Sequence, residues 1–252
     1  MPARVVFIGA GPGAADLITL RGARTLGAAQ VVLCDALTDP SLRELAPQAE
    51  WIDVGKRGFR HATSQPEINA MLIDAARRYE RVVRLKGGDP SVLGRLEEEL
   101  DALLAHGIEC AVIPGVTAAL AAAADALRPL TRRGVGRSVS LTTAMTQLGT
   151  LRAVRSADTE VFYMAGRQLG ALSVKLREAG WPGDAPASVV SRAGWPDCRV
   201  SGHTVATLAD AALVHADRPA VVTVGAGAAP LATTTRRDSP DPNRTRRIDP
   251  EP

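Results

Sequence analysis

Short β-branched runs that end in a glycine-rich turn and then give way to a helical pattern constrain this chain most. Val5 to Ile8 leads into Gly9-Ala-Gly-Pro-Gly13, Val82 to Leu85 into Lys86-Gly-Gly-Asp-Pro90, and Cys110 to Ile113 into Pro114-Gly-Val-Thr117. A short apolar run followed by helical spacing reads as a buried strand feeding a crossover, and such alternation packs as a mainly parallel sheet. Val31 to Cys34 and Trp51 to Val54 extend the series. Between them Ser64 and Glu67 form a capping box, Pro66 sits in the first turn, and Ile68, Met71, Leu72, Ala75 and Ala76 follow helical spacing.

A second series begins after Arg128-Pro-Leu-Thr-Arg-Arg-Gly134, with strand candidates at Val139 to Thr142, Val161 to Met164, Ser188 to Val190 and Ala220 to Val224. After Ala229 the chain turns to Thr, Arg, Asp and Pro without periodicity. The expectation is an α/β fold of two unlike lobes, 1–130 and 138–229, joined by a linker at 131–137, with a cleft between them and a disordered tail at 230–252. No repeat of fixed period is present, which removes solenoids and propellers.

The charge balance is only mildly basic, 30 Lys plus Arg against 27 Asp plus Glu, and no Lys/Arg stripe interleaved with aromatics marks a nucleic-acid surface. Cys34, Cys110 and Cys198 stand far apart without a CxxC pair, so neither a metal site nor a disulfide framework is encoded, and a reducing cytoplasm fits. No apolar run approaches the roughly 18 residues of a membrane span, and no leader pattern opens the chain. A soluble, unexported protein is expected.

Each turn admits two readings. Gly9 to Gly13, with Asp35 closing the next strand, resembles a dinucleotide fingerprint. However, Pro12 removes one amide and the third glycine comes one residue early, so an ordinary strand-to-helix turn is equally open. Asp89 is placed to hydrogen-bond a ligand hydroxyl or amine, or simply to shape a Gly-Asp-Pro turn. Thr117 either caps the Ala-rich helix that follows or presents its hydroxyl to a ligand.

The order and spacing of these turns is similar to that of the tetrapyrrole (corrin/porphyrin) methylase family, above all its members acting on uroporphyrinogen III. GAGPGAADLITLRGARTLGAAQVVLCDAL, VGKRG, Gln65-Pro-Glu-Ile-Asn69, VVRLKGGDP, PGVTAALAA, PLTRRGVGRS and Phe162-Tyr-Met164 carry the resemblance, which spans about residues 3 to 228. It implies two unlike α/β lobes, a homodimer, and S-adenosylmethionine folded in the inter-lobe cleft, with no metal. The cofactor contacts it implies are Pro12, Gly87, Gly88, Asp89, Val92, Thr117, Ala118, Met164, Ala193 and Ala220, although Ala193 falls where the family usually has glycine. The activity it implies is C-methylation of uroporphyrinogen III at two ring carbons, giving precorrin-2 for siroheme, cobalamin or heme d1 synthesis. Asp35 matches a candidate base and Lys56 a candidate proton donor or carboxylate anchor. Arg95, Glu98 and Arg133 match substrate-binding residues suited to a polyanion.

Three departures lie on the substrate side: Ala36 after Asp35, Ser91 after the Gly-Asp-Pro turn, and Leu96-Glu97 where the family has two glycines. They keep a later precorrin open as substrate. A nicotinamide-dependent oxidoreductase and a non-catalytic homologue are the remaining alternatives.

Overall fold

The strands read from the sequence assemble into two sheets in a computed structural model that describes residues 4–55, 63–145 and 150–231. The first contains β1 (Val5–Gly9), β2 (Val31–Cys34), β3 (Glu50–Asp53), β4 (Val82–Lys86) and β5 (Cys110–Ile113). Their order is β3-β2-β4-β1-β5 and every pairing is parallel. Both faces are covered, as a parallel sheet requires. Ile68, Leu72 and Ala75 of α2 (Gln65–Arg78) and Leu103 of α3 (Leu96–Leu104) pack on Val5, Phe7, Leu33 and Val82. Leu26 of α1 (Leu20–Gly27) packs on Ile8, Val32 and Leu85 from the other side. The capping box of α2 is formed: the Ser64 amide donates to Glu67 Oε2 at 2.7 Å and the Glu67 amide to Ser64 Oγ at 3.4 Å.

The second sheet contains β6 (Val139–Thr143), β7 (Thr159–Tyr163), β8 (Pro186–Ser191), β9 (Arg199–Thr204) and β10 (Ala220–Gly225), in the order β6-β7-β10-β8-β9. Only β6 and β7 pair in parallel; β10 runs antiparallel to both its neighbours, and β8 to β9. Successive strand residues face opposite sides. Phe162, Val189 and Val222 therefore meet Leu169, Leu172 and Leu176 of α5 (Leu169–Glu178), whereas Val161, Val190 and Val221 meet Ala119, Ala121 and Ala122 of α4 (Ala118–Asp125). Thus α4, which leaves the first sheet at β5, lies on the second, and its methyl side chains allow a close approach. The short α6 (Ala212–His215) brings His215 into the interior beside β8 and β9.

Among the described residues no helix is long and apolar enough to cross a membrane. The tail expected at 230–252 lies outside the described residues beyond Leu231, as does Lys56.

Candidate functional site

In the first sheet the crossover from β1 runs toward β2 on one side, and that from β4 toward β5 on the other. The carboxyl ends of these adjacent strands therefore form the switch point at which open α/β sheets bind ligands. Three turns converge there. The Gly88 amide donates to Gly11 O at 2.7 Å and the Gly11 amide to Gly88 O at 3.3 Å, which ties the β1 turn to the β4 turn. Gly9 and Gly115 touch backbone to backbone: a Cβ on Gly9 would lie 2.5 Å from Gly115 Cα, and one on Gly115 only 2.3 Å from Gly88 O. Side chains are excluded at these positions, so peptide groups line this edge.

Asp89 locks the third turn in place. Its Oδ2 accepts from the Gly115 amide at 2.8 Å and its Oδ1 from the Ser91 amide at 2.8 Å. The turn-shaping reading of this residue is the one seen: it shapes the Gly-Asp-Pro turn and joins that turn to the next. Val92 closes the same turn, its amide donating to Asp89 O at 3.2 Å. Thr117 occupies the N-cap position of α4 without a side-chain cap bond. Its hydroxyl instead lies 2.6 Å from the Tyr163 hydroxyl, which accepts from the Ala119 amide at 3.3 Å. A residue of β7 therefore caps the helix that follows β5.

Tyr163 leads into Met164, which has φ of 57° and is 58% exposed. A non-glycine residue held in the left-handed region stores strain, and such residues cluster at ligand sites. Ala220 begins β10 opposite Ser191, and Ala193 follows in the turn after β8. That turn reaches the β1 loop: Gly194 O accepts from the Ala14 amide at 2.9 Å, and Trp195 Nε1 donates to Pro12 O at 3.2 Å. The indole fills the space beside Gly13, where a Cβ would come within 2.5 Å of it. Ala118 and Ala193 thus pack together where α4 lies on the second sheet, with Thr117 bonded to Tyr163 and Pro12 to Trp195, and Gly87, Gly88 and Asp89 on the adjoining turn; Ala220 packs on the α5 side, at the strand end that adjoins Met164. No α-helix begins at the glycine turn; α1 starts later, at Leu20, with the Thr19 hydroxyl accepting from the Gly22 amide. A pyrophosphate would find no helix N-terminus here.

Asp35 stands beside this edge, one-third exposed. Its Oδ1 accepts from Arg84 Nη2 at 2.7 Å and its Oδ2 from the Gly87 amide at 3.3 Å. Beneath it lies a buried charge cluster that sequence reasoning missed. Arg84 donates from Nε and Nη2 to Glu99 at 2.9 and 3.1 Å, Lys86 Nζ to Glu99 at 2.8 Å, and Gln65 Nε2 to Glu99 at 3.3 Å. Burial works to lower the Arg84 pKa, but Asp35 and Glu99 outweigh it and the guanidinium is held more firmly charged than usual. Burial, reinforced by Arg84, lowers that of Lys86 against the pull of Glu99. The legible signal was two cations at alternate positions of an otherwise apolar strand.

Of the three substrate-side residues, Arg133 does not join the other two. Arg95 and Glu98 lie on the surface at the start of α3 and clasp each other with two bonds of 2.8 and 2.7 Å. Arg133 lines an open groove of about 610 Å³ with Arg132, Arg137 and Asp158. Asp158 precedes the first residue of β7 and Met164 follows its last, so this groove and Met164 stand at opposite ends of a strand roughly 15 Å long. Among the described residues no cluster of His, Cys, Asp and Glu is arranged to hold a metal.

Residues 4–212 match the sequence model of the tetrapyrrole (corrin/porphyrin) methylases. The chain belongs to this family. It is 39% identical to a uroporphyrinogen-III C-methyltransferase of Cyanidium caldarium, the match covering 81% of this chain and 84% of the relative. Its fold superposes with a TM-score of 0.77 on the crystal structure of a uroporphyrin-III C-methyltransferase from Thermus thermophilus complexed with S-adenosylhomocysteine, 36% identical, over 88% of this chain and 97% of the other. A cobalt precorrin-4 methyltransferase involved in cobalamin biosynthesis, 30% identical, superposes with a TM-score of 0.77 over 90% and 96% of the two chains. The α/β fold expected from the resemblance is thus borne out.

Proposed function

We propose that this protein transfers methyl groups from S-adenosylmethionine to two ring carbons of uroporphyrinogen III, yielding precorrin-2 for siroheme, cobalamin or heme d1 synthesis. The observation that carries this reading is the meeting of three glycine turns at the carboxyl edge of the first sheet, tied through Thr117 and Tyr163 to the end of β7 next to Met164. It is supported by membership of the family and by the relatives at 36–39% identity.

The open space beside Gly87 and Gly88 would admit the donor, with Pro12, Val92, Thr117, Ala118, Met164, Ala193 and Ala220 around it. Asp89 holds two of the turns in register. The donor supplies an electrophilic methyl on a positively charged sulfur, so the protein contributes chiefly position. Asp35, at the rim of this edge, takes up the proton that leaves the macrocycle after alkylation. Lys56 serves as proton donor or carboxylate anchor. Arg95 and Glu98 contact the carboxylated substrate, and Arg133, a strand's length from Met164, meets only a carboxylate on its far rim. For Arg95 this requires the macrocycle to compete with Glu98, which holds its fork in the free protein.

We also read the protein as a cytoplasmic homodimer of two lobes, 1–130 and 138–229. Mass analysis of the product from uroporphyrinogen III and S-adenosylmethionine tests the assignment: two added methyls are expected, and an unmodified macrocycle overturns it. A later precorrin is the second reading. It is favoured by the changes at Ala36, Ser91 and Leu96-Glu97 and by the Arg95–Glu98 clasp. Turnover of a precorrin with none of uroporphyrinogen III would establish it.

A further inference from the structure

β4 is the middle strand of a parallel sheet, yet Arg84 and Lys86 occupy two of its five positions, 2% and 3% exposed. Both lie on the face that α2 and α3 cover, where the layers run from Val31, Val82 and Val5 to Leu33, Arg84 and Phe7. The guanidinium uses all three nitrogens: Nε and Nη2 on Glu99, Nη2 also on Asp35, and Nη1 toward Leu33 O and Leu85 O at 3.4 and 3.3 Å. Glu99, 1% exposed, is held in turn by Lys86 and Gln65. Two cations and two carboxylates balance.

Stability does not account for such a unit. Replacing buried ion pairs by apolar side chains of similar size is often neutral or stabilising, because desolvation offsets the Coulomb attraction. What the cluster does uniquely is fix its one solvent-accessible member. Asp35 is 33% exposed, and its second oxygen already accepts from the Gly87 amide. With one oxygen held from beneath by an immobile guanidinium and the other by the turn, the carboxylate has a single orientation.

We propose that Arg84, braced by Glu99 and Lys86, is a positioning residue for Asp35, setting the direction in which that carboxylate meets the reacting macrocycle. The role rests on the reading of Asp35 as the proton acceptor of the proposed methylation. Arg84 acts through Asp35 and touches neither donor nor substrate.

The test is a double-mutant cycle on full-length protein, with methyl transfer to uroporphyrinogen III and calorimetric binding of S-adenosylhomocysteine as separate readouts. Arg84→Lys keeps the charge and loses the fork. It is expected to lower kcat roughly a hundredfold while S-adenosylhomocysteine affinity stays within about threefold, and to cost nothing further when added to Asp35→Asn. Losses that multiply in the double variant would overturn the proposal. Against the chance that Arg84→Lys fails to fold, Arg84→Met, Lys86→Met and Glu99→Leu introduced together replace the cluster by an apolar core. That protein is expected to unfold at or above the parent temperature and still to lose kcat roughly a hundredfold. A folded triple variant of undiminished kcat would overturn the positioning role alone. Failure of the unaltered protein to methylate would overturn the reading of the whole site, and this role with it.

Discussion

Asp89 and His215 show how single side chains in this protein act by holding backbone and neighbours in place. The Asp89 carboxylate satisfies amides from two different turns, and an asparagine in its place keeps only one acceptor oxygen. Asp89→Asn is expected to weaken S-adenosylhomocysteine binding about tenfold and Asp89→Ala to abolish it, by calorimetry; unchanged affinity in the alanine variant would refute the placement of the cofactor. His215 is fully buried, with Nδ1 2.8 Å from Ser191 Oγ and Nε2 2.8 Å from Ser201 Oγ. Arg218 Nε donates to the same Ser191 oxygen. Burial, with His203, Arg218 and Arg199 nearby, pushes the His215 pKa down to about 4. Between that value and the ordinary one near 6.5 the unfolded chain binds more protons than the folded one, so stability is full above the upper limit and falls as pH drops through the window. The loss is at most about 3 kcal/mol. His203, lowered chiefly by burial, adds to it in the same direction. Urea unfolding at pH 7 and 4.5 should show the decline, and His215→Gln should reduce its slope; an unaltered slope would contradict this account.

At the scale of elements, strand runs were legible because a parallel strand buried on both faces must be apolar along its length. The capping box announced α2 before any tertiary contact was known, since Ser64 and Glu67 satisfy each other locally. α4 was legible as a helix but not by its partner. Its alanines carry no direction, and Thr117 read as a cap on local grounds, whereas the Tyr163 hydroxyl from the other sheet takes the Ala119 amide. Because Ala122 is 1% exposed against Val161, Val190 and Val221, Ala122→Leu overpacks the seam. A loss of about 1–3 kcal/mol by denaturant titration is expected, with weaker S-adenosylhomocysteine binding as α4 is pushed away from the site.

For the molecule as a whole, the halves meet through bonds beside the carboxyl edge of the first sheet: Ala14 to Gly194, Trp195 to Pro12 and Ala119 to Tyr163. Farther from it, Arg128 Nη1 donates to Ala228 O at 2.8 Å. A ligand held at that edge contacts both sheets and should stabilise them together. S-adenosylhomocysteine at a hundred times its Kd is expected to add about 2.7 kcal/mol to unfolding in one cooperative transition, while NAD adds nothing. Two separated transitions, only one of them shifted, would show that the ligand does not bridge the sheets.

Taken alone, the sequence determined the strands other than β9, the glycine turns, the α2 cap and the family, because each is written in local spacing and in the order of short motifs. Tertiary structure decided what those motifs touch. Asp89 turned out to bridge two loops, Arg133 to stand at the far end of β7 from Met164, and Arg84 to sit under Asp35 with Glu99. Partners so far apart along the chain meet only once the sheets have formed, and no local pattern encodes which carboxylate a buried guanidinium will find.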